Sequence, residues 1–148
     1  MKKLLFAALG LIIAQYVQAQ TVTVNNHSNC SYNMSLTGSD ASPMCPITTG
    51  YVTNPITLPA QKHGVPSTTT VSPSTASWLS SAPTGSIVWD WAIITDPLCG
   101  GPQILFGVCT TASSSPGSYD LSTCPGACQP SISYTWSISG GNVTIDIN

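Results

Sequence analysis

Few residues of this chain are equipped for acid–base or metal chemistry. In 148 residues there are five Asp, two His and six Cys, with no Glu and no Arg. Asp90 is the acid of most interest, because Trp89-Asp90-Trp91 places a carboxyl between two indoles in an apolar run. A carboxyl covered in this way is a candidate general acid with a raised pKa. The competing reading, which the sequence favours, is a carboxylate at a strand edge or hydrogen-bonded to backbone. A glycosidase needs two carboxyls across the scissile bond, and only Asp96 lies near Asp90 in sequence. A small hydrolase using Asp90 is therefore the enzymatic alternative, not the main expectation.

Other catalytic patterns lack their parts. There is no G-x-S-x-G turn to expose a serine nucleophile, no H-E-x-x-H zinc motif and no calcium-loop spacing of acids. A copper loop would follow Cys109 with His and Met, but Thr110-Thr111-Ala112-Ser113 stands there. His27 and His63 are far apart, and His63 sits beside Lys62 in what reads as an exposed loop tip. The expectation is no catalytic set, no metal and no cofactor.

The aromatic residues offer a different chemistry. Indole faces stack on sugar rings, so Trp78, Trp89 and Trp91, with Asp90 between the last two, form a candidate ligand-binding set. Trp89, Trp91 and Trp136 alternate with other apolar residues and read first as core. Trp78, among Ser and Thr near a proline, is the indole expected at the surface.

Charge restricts the partners. Charged residues make up 5% of the chain, against about 25% in an ordinary soluble domain. Lys2 and Lys3 precede an apolar run, Leu4–Ala14, and Val17-Gln18-Ala19 has the small-x-small form of a signal-peptide cleavage site. Residues 1–19 are therefore expected to be a signal peptide and residues 20–148 one domain. The apolar run is too short to span a bilayer, and no second one follows. The mature part keeps Lys62 alone against Asp40, Asp90, Asp96, Asp120 and Asp146. With no basic stripe it has no means of binding nucleic acid. Export, to the periplasm, cell surface or exterior, also suits six Cys in the mature part: Cys30, Cys45, Cys99, Cys109, Cys124 and Cys128. The local pairings Cys30–Cys45, Cys99–Cys109 and Cys124–Cys128 are expected.

These groups must be positioned by strands. Thr21–Val24 alternates, and so do Tyr32, Met34 and Leu36 after the polar segment Asn25–Cys30, which predicts an opening hairpin. Ile132, Tyr134, Trp136 and Ile138 share a face, then Gly140-Gly141 precedes Val143, Ile145 and Ile147. A two-residue turn there sets Ile138 opposite Val143, Trp136 opposite Ile145 and Tyr134 opposite Ile147. Ser86–Thr95 is apolar at both parities, with Ile87, Trp89, Trp91 and Ile93 on one face and Val88, Asp90, Ala92 and Ile94 on the other. That predicts a central strand covered on both sides. Further strands are expected at Gln103–Cys109, Pro55–Leu58 and Thr68–Ser72, with at most one helical turn around Trp78. The whole reads as all-β: a single disulfide-stapled β-sandwich of about seven to nine antiparallel strands, with Greek-key-like connections.

With its VQAQ cleavage region, the strand TVTVNN and the closing GGNVTIDIN, the chain resembles small secreted proteins of unknown function from Bacteroidota-type bacteria. TVTVNNHSNCSYNM also looks like the first hairpin of thaumatin-like proteins, a likeness that implies a β-sandwich. That family's acidic cleft and dense cysteine pattern are not matched, so its glucan-related activities are not carried over. The function expected is a secreted or surface-associated, non-catalytic binding module for glycans or other cell-surface components. The alternative is a matrix protein self-associating through strand edges, since both mature ends are strands with little charge to block pairing.

Overall fold

The structure is a computed structural model, and it describes residues 21–40, 50–85, 87–99, 104–107 and 116–148. These residues form ten strands and no helix: β1 (Val22–Asn26), β2 (Tyr32–Asp40), β3 (Tyr51–Val52), β4 (Ile56–Leu58), β5 (Ser67–Val71), β6 (Ile87–Thr95), β7 (Ile104–Gly107), β8 (Gly117–Asp120), β9 (Ser131–Ser139) and β10 (Asn142–Ile147). The first sheet has the order β5-β1-β10-β9-β8. The second has β3-β2-β6-β7, with β4 also paired to β2. The fold class is all-β, with two strands, β3 and β8, that the sequence pattern did not announce.

The closing hairpin forms in the expected register. Ile138 faces Val143, Trp136 faces Ile145 and Tyr134 faces Ile147. Gly140 and Gly141 take φ of 57° and 82°, the doubly positive turn that suits the twist of two paired strands. Burial fades toward the turn, however. Ile132 and Tyr134 are in the core, whereas Ile138 is 54% exposed.

The opening hairpin does not form. β1 lies between β10 and β5 in the first sheet, and β2 belongs to the second. The polar segment between them is a crossing from sheet to sheet, built on the buried side chain of Asn26. Its Nδ2 donates to the carbonyls of Cys30 and Pro59, both at 2.8 Å, and its Oδ1 accepts from Ser28 N (3.0 Å) and Oγ (2.7 Å). One amide thereby satisfies backbone groups that a tight turn would otherwise pair internally. The pairing of β1 with β10 is parallel, a second departure from the expected all-antiparallel arrangement.

β6 is central, between β2 and β7, but its two-sided apolar pattern has a different origin. Thr37 faces Trp91 and Gly38 faces Trp89, so that β6 carries one more residue than β2 at Asp90. This extra residue is a β-bulge, and it reverses the parity of everything beyond it. Ile87 and Trp89 therefore join Ala92 and Ile94 in the core cluster. Trp91 is turned to the opposite face, correcting the expectation that Trp89 and Trp91 share one. Gly107 on β7 fits against the bulge with φ of 145°. A Cβ there would overlap the Asp90 carbonyl oxygen and the Trp91 Cα.

Both sheets feed a single core cluster. Val22, Val24, Val143 and Ile145 come from the first; Met34, Leu36, Trp89 and Phe106 come from the second. Phe106 stacks on Tyr134 with ring centroids 4.4 Å apart, one ring from each sheet.

Two disulfides are present among the described residues, Cys30–Cys128 and Cys99–Cys124, spanning 98 and 25 positions. They replace the expected local pairs. Cys30 and Cys128 have their Cα atoms 5.8 Å apart, brought together by the sheets and not by nearness along the chain. Cys45 and Cys109 lie outside the described residues. The disulfides fit an oxidising compartment, and no helix of the described residues is long and apolar enough to cross a membrane.

Candidate binding face

The residues singled out from sequence do not assemble into one site. Trp89 is completely buried and Trp91 is 9% exposed, on the other side of its sheet. Trp78, expected at the surface, is only partly exposed. It stacks on Trp89 (centroids 5.8 Å apart, planes 8° apart), with Tyr51 set edge-on at 5.9 Å. Its Nε1 donates to the Pro73 carbonyl at 3.2 Å, and a bridge to Thr53 ties its backbone to the segment after β3. Trp78 thus extends the core outward instead of standing free of it.

Asp90 is 1% exposed at the bulge. Asp96 is also buried, with its Oδ1 accepting from Leu98 N at 2.8 Å and its Oδ2 from Cys128 N at 3.1 Å. It ties the turn after β6 to the segment that holds the Cys30–Cys128 bridge. Six positions along a strand separate the two acids by about 20 Å of backbone, well beyond the roughly 5–9.5 Å of a glycosidase carboxyl pair. Among the described residues, no group of three His, Cys, Asp or Glu gathers that could hold a metal ion.

The arrangement with most capacity for recognition lies on the outer face of the first sheet. Residues facing away from Val22, Val24, Val143 and Ile145 are all short and polar. Strand register sets them in rows across β5, β1, β10 and β9. One row is Thr68–Asn25–Asp146–Thr135 and its neighbour is Thr70–Thr23–Thr144–Ser137.

In the first row the side chains bind one another. Thr68 Oγ1 donates to Asn25 Oδ1 (3.0 Å), Asn25 Nδ2 to Asp146 Oδ1 (2.9 Å) and Thr135 Oγ1 to Asp146 Oδ2 (3.3 Å). His27 Nε2 lies 3.4 Å from Asp146 Oδ1. The Asn25 amide holds the Asp146 carboxyl below the usual carboxylate range, helped by His27 and Thr135 and opposed by partial burial. The second row is different. Among the described residues, the hydroxyls of Thr70, Thr23 and Thr144 make no side-chain hydrogen bond to the protein. At the β5 edge Thr70 also lines a cleft of about 350 Å³, together with Thr69 and Val71 from the core-side face of β5 and with Pro55, Ile56, Thr75, Ala76 and Ser77. The Thr75 hydroxyl is bonded to Ser72 and that of Ser77 accepts from Asn54.

Chemically the face is a display of hydroxyls and amides beside a half-apolar cleft, with carboxylates at Asp146 and, on β8, Asp120. Sequence alternation marked Ser and Thr as outward-facing on β9. Which of them become neighbours depends on β1 pairing with β10, more than a hundred positions away. Compared with known proteins, the chain matches no protein-family model, no curated protein and no solved structure.

Proposed function

We propose that this chain is an exported, non-catalytic binding module whose ligand is an uncharged, hydroxyl-rich polymer, a glycan or a cell-surface component bearing one. In this reading residues 1–19 are a signal peptide, and residues 20–148 are a β-sandwich with Greek-key-like connections. The core shared by two sheets and the repeated passage of successive strands between them support that architecture. Asp90 is then a structural carboxylate at a bulge.

The observation that carries the proposal is the hydrogen-bonded row Thr68–Asn25–Asp146–Thr135. It holds an outward polar surface in place before any ligand arrives, which lowers the ordering cost of binding. The neighbouring hydroxyls of Thr23 and Thr144 are free to donate and accept. The test is retention on insoluble polysaccharides and on a glycan array, comparing the wild type with the double variant Thr23→Val, Thr144→Val. Retention that the double variant loses supports the reading. Absence of retention on every glycan overturns it.

One observation favours a second reading, self-association through a strand edge. β5 ends the first sheet with the sequence Ser-Thr-Thr-Thr-Val, free of charge and proline, whereas natural edges are usually blunted by Lys, Pro or a bulge. Sizing chromatography across a concentration range separates the two readings, since a strictly monomeric protein rules this one out.

A further inference from the structure

The geometry points to a linear, neutral polysaccharide that crosses the strands of the first sheet along the row Ser137–Thr144–Thr23–Thr70 and ends in the cleft beside β5. This inference rests on the binding reading above and gives its ligand a shape and a direction.

The direction follows from which side chains are committed. The row through Asn25 and Asp146 is occupied by its own hydrogen bonds and serves as a brace. The next row presents the hydroxyls of Thr144, Thr23 and Thr70, which make no side-chain hydrogen bond among the described residues, and that of Ser137, which donates to the Thr144 carbonyl at 3.5 Å, one from each of four adjacent strands. Neighbouring strands stand about 4.8 Å apart, close to the rise of one sugar in an extended β-linked chain. A ligand lying across the strands therefore meets one hydroxyl per sugar. A ligand running along a strand meets alternate residues of one strand only, and loses the row.

The end point follows from the cleft. Thr70 closes the row and also lines the cavity, where Pro55, Ile56 and Ala76 offer apolar surface and Thr69 and Thr70 offer hydroxyls, those of Thr75 and Ser77 being bonded to Ser72 and Asn54. A pyranose has the same division, with C–H faces and a hydroxyl rim. Charge agrees with a neutral occupant: the row has no charged residue, the carboxylate at Asp146 is already bonded to Asn25, Thr135 and His27, and the second carboxylate of the face, Asp120, stands apart on β8 and accepts from Ser122 N.

The experiment measures affinity for cello-, chito-, laminari- and manno-oligosaccharides of increasing length, after polysaccharide retention has been screened. Affinity is expected to climb with length and level off at about four sugars, one per strand. Thr23→Val and Thr144→Val keep the β-branched shape and remove one hydroxyl each. Each should weaken the longest oligosaccharide by about two- to tenfold, with little effect on a single sugar. Thr84→Val, at an exposed position in the segment before β6, is the control for a generic loss of a surface hydroxyl. If a polysaccharide is retained but single sugars bind as well as long chains, or the two variants match Thr84→Val, this inference falls and the binding reading stands. If nothing is retained, both fall together.

Discussion

Trp89 and Trp91, separated by one residue on β6, lie on opposite faces of their sheet because the register with β2 shifts between them, adjacent residues Gly38 and Thr37 facing Trp89 and Trp91. The bulge is the pivot of the second sheet. It lets Ile87 and Trp89 enter the same core as Ala92 and Ile94 although their parities differ.

Gly107 is the residue that makes room for this pivot. Gly107→Ala should destabilise the protein by about 3 kcal/mol, since a Cβ would strike backbone at Asp90 and Trp91 and the positive φ disfavours it as well. Denaturant unfolding reads the loss. A shift no larger than that of Gly85→Ala, a site with open space around it, would show that the fit is not needed.

Trp78 is expected to matter for stability and not for ligand retention. Trp78→Ala removes the stack on Trp89 and the edge contact with Tyr51, at a cost of about 2–3 kcal/mol for a partly buried indole. Retention on any polysaccharide bound by the wild type should persist at temperatures where the variant remains folded. Selective loss of retention in a fully folded variant would return Trp78 to the binding site.

The two disulfides should differ in worth. Loop-closure entropy rises with the length of chain enclosed, giving about 4.7 kcal/mol for the Cys30–Cys128 bridge and about 3.5 kcal/mol for Cys99–Cys124. Paired Cys→Ala variants, compared by thermal unfolding, should rank in that order. The reverse order would mean that native packing around the bridges outweighs chain entropy.

Acid should loosen the outer face through Asp146. Its pKa is depressed in the folded protein, so the stability it contributes is present above the ordinary carboxylate value of 3.8 and is lost as pH falls through the lower folded value. Asp146→Asn should therefore flatten the acid limb of a stability–pH profile. An unchanged limb would place the acid sensitivity at Asp120, whose carboxyl is also depressed, by its bonds to Ser122.

The closing hairpin was legible down to its register because a Gly-Gly turn admits one loop length, and a single-residue slip would expose every apolar side chain. β1 was legible as a strand but not in its place. Alternation at Val22 and Val24 says which side is buried and is silent about which sheet supplies the neighbours. The bulge was hidden for a related reason: apolar residues at both parities describe a doubly covered strand and a parity reversal equally well. The cysteines failed on distance, since Cys128 is brought to Cys30 by sheet assembly. For the candidate face, outward Ser and Thr could be read from β9 alone. The rows exist only because Thr23 and Asn25 stand beside Thr144 and Asp146, and that adjacency is a property of topology.

The parallel pairing of β1 with β10 also has a consequence in time. Asn25 and Asp146 are joined across 121 positions, and β10 stands between β1 and β9 in the middle of its sheet. Until residues 142–147 have been made, β1 and β5 on one side and β8 and β9 on the other have no strand between them to complete the sheet. The first sheet is thus a structure that can be completed only after synthesis of its last strand. Contacts so remote in sequence form slowly.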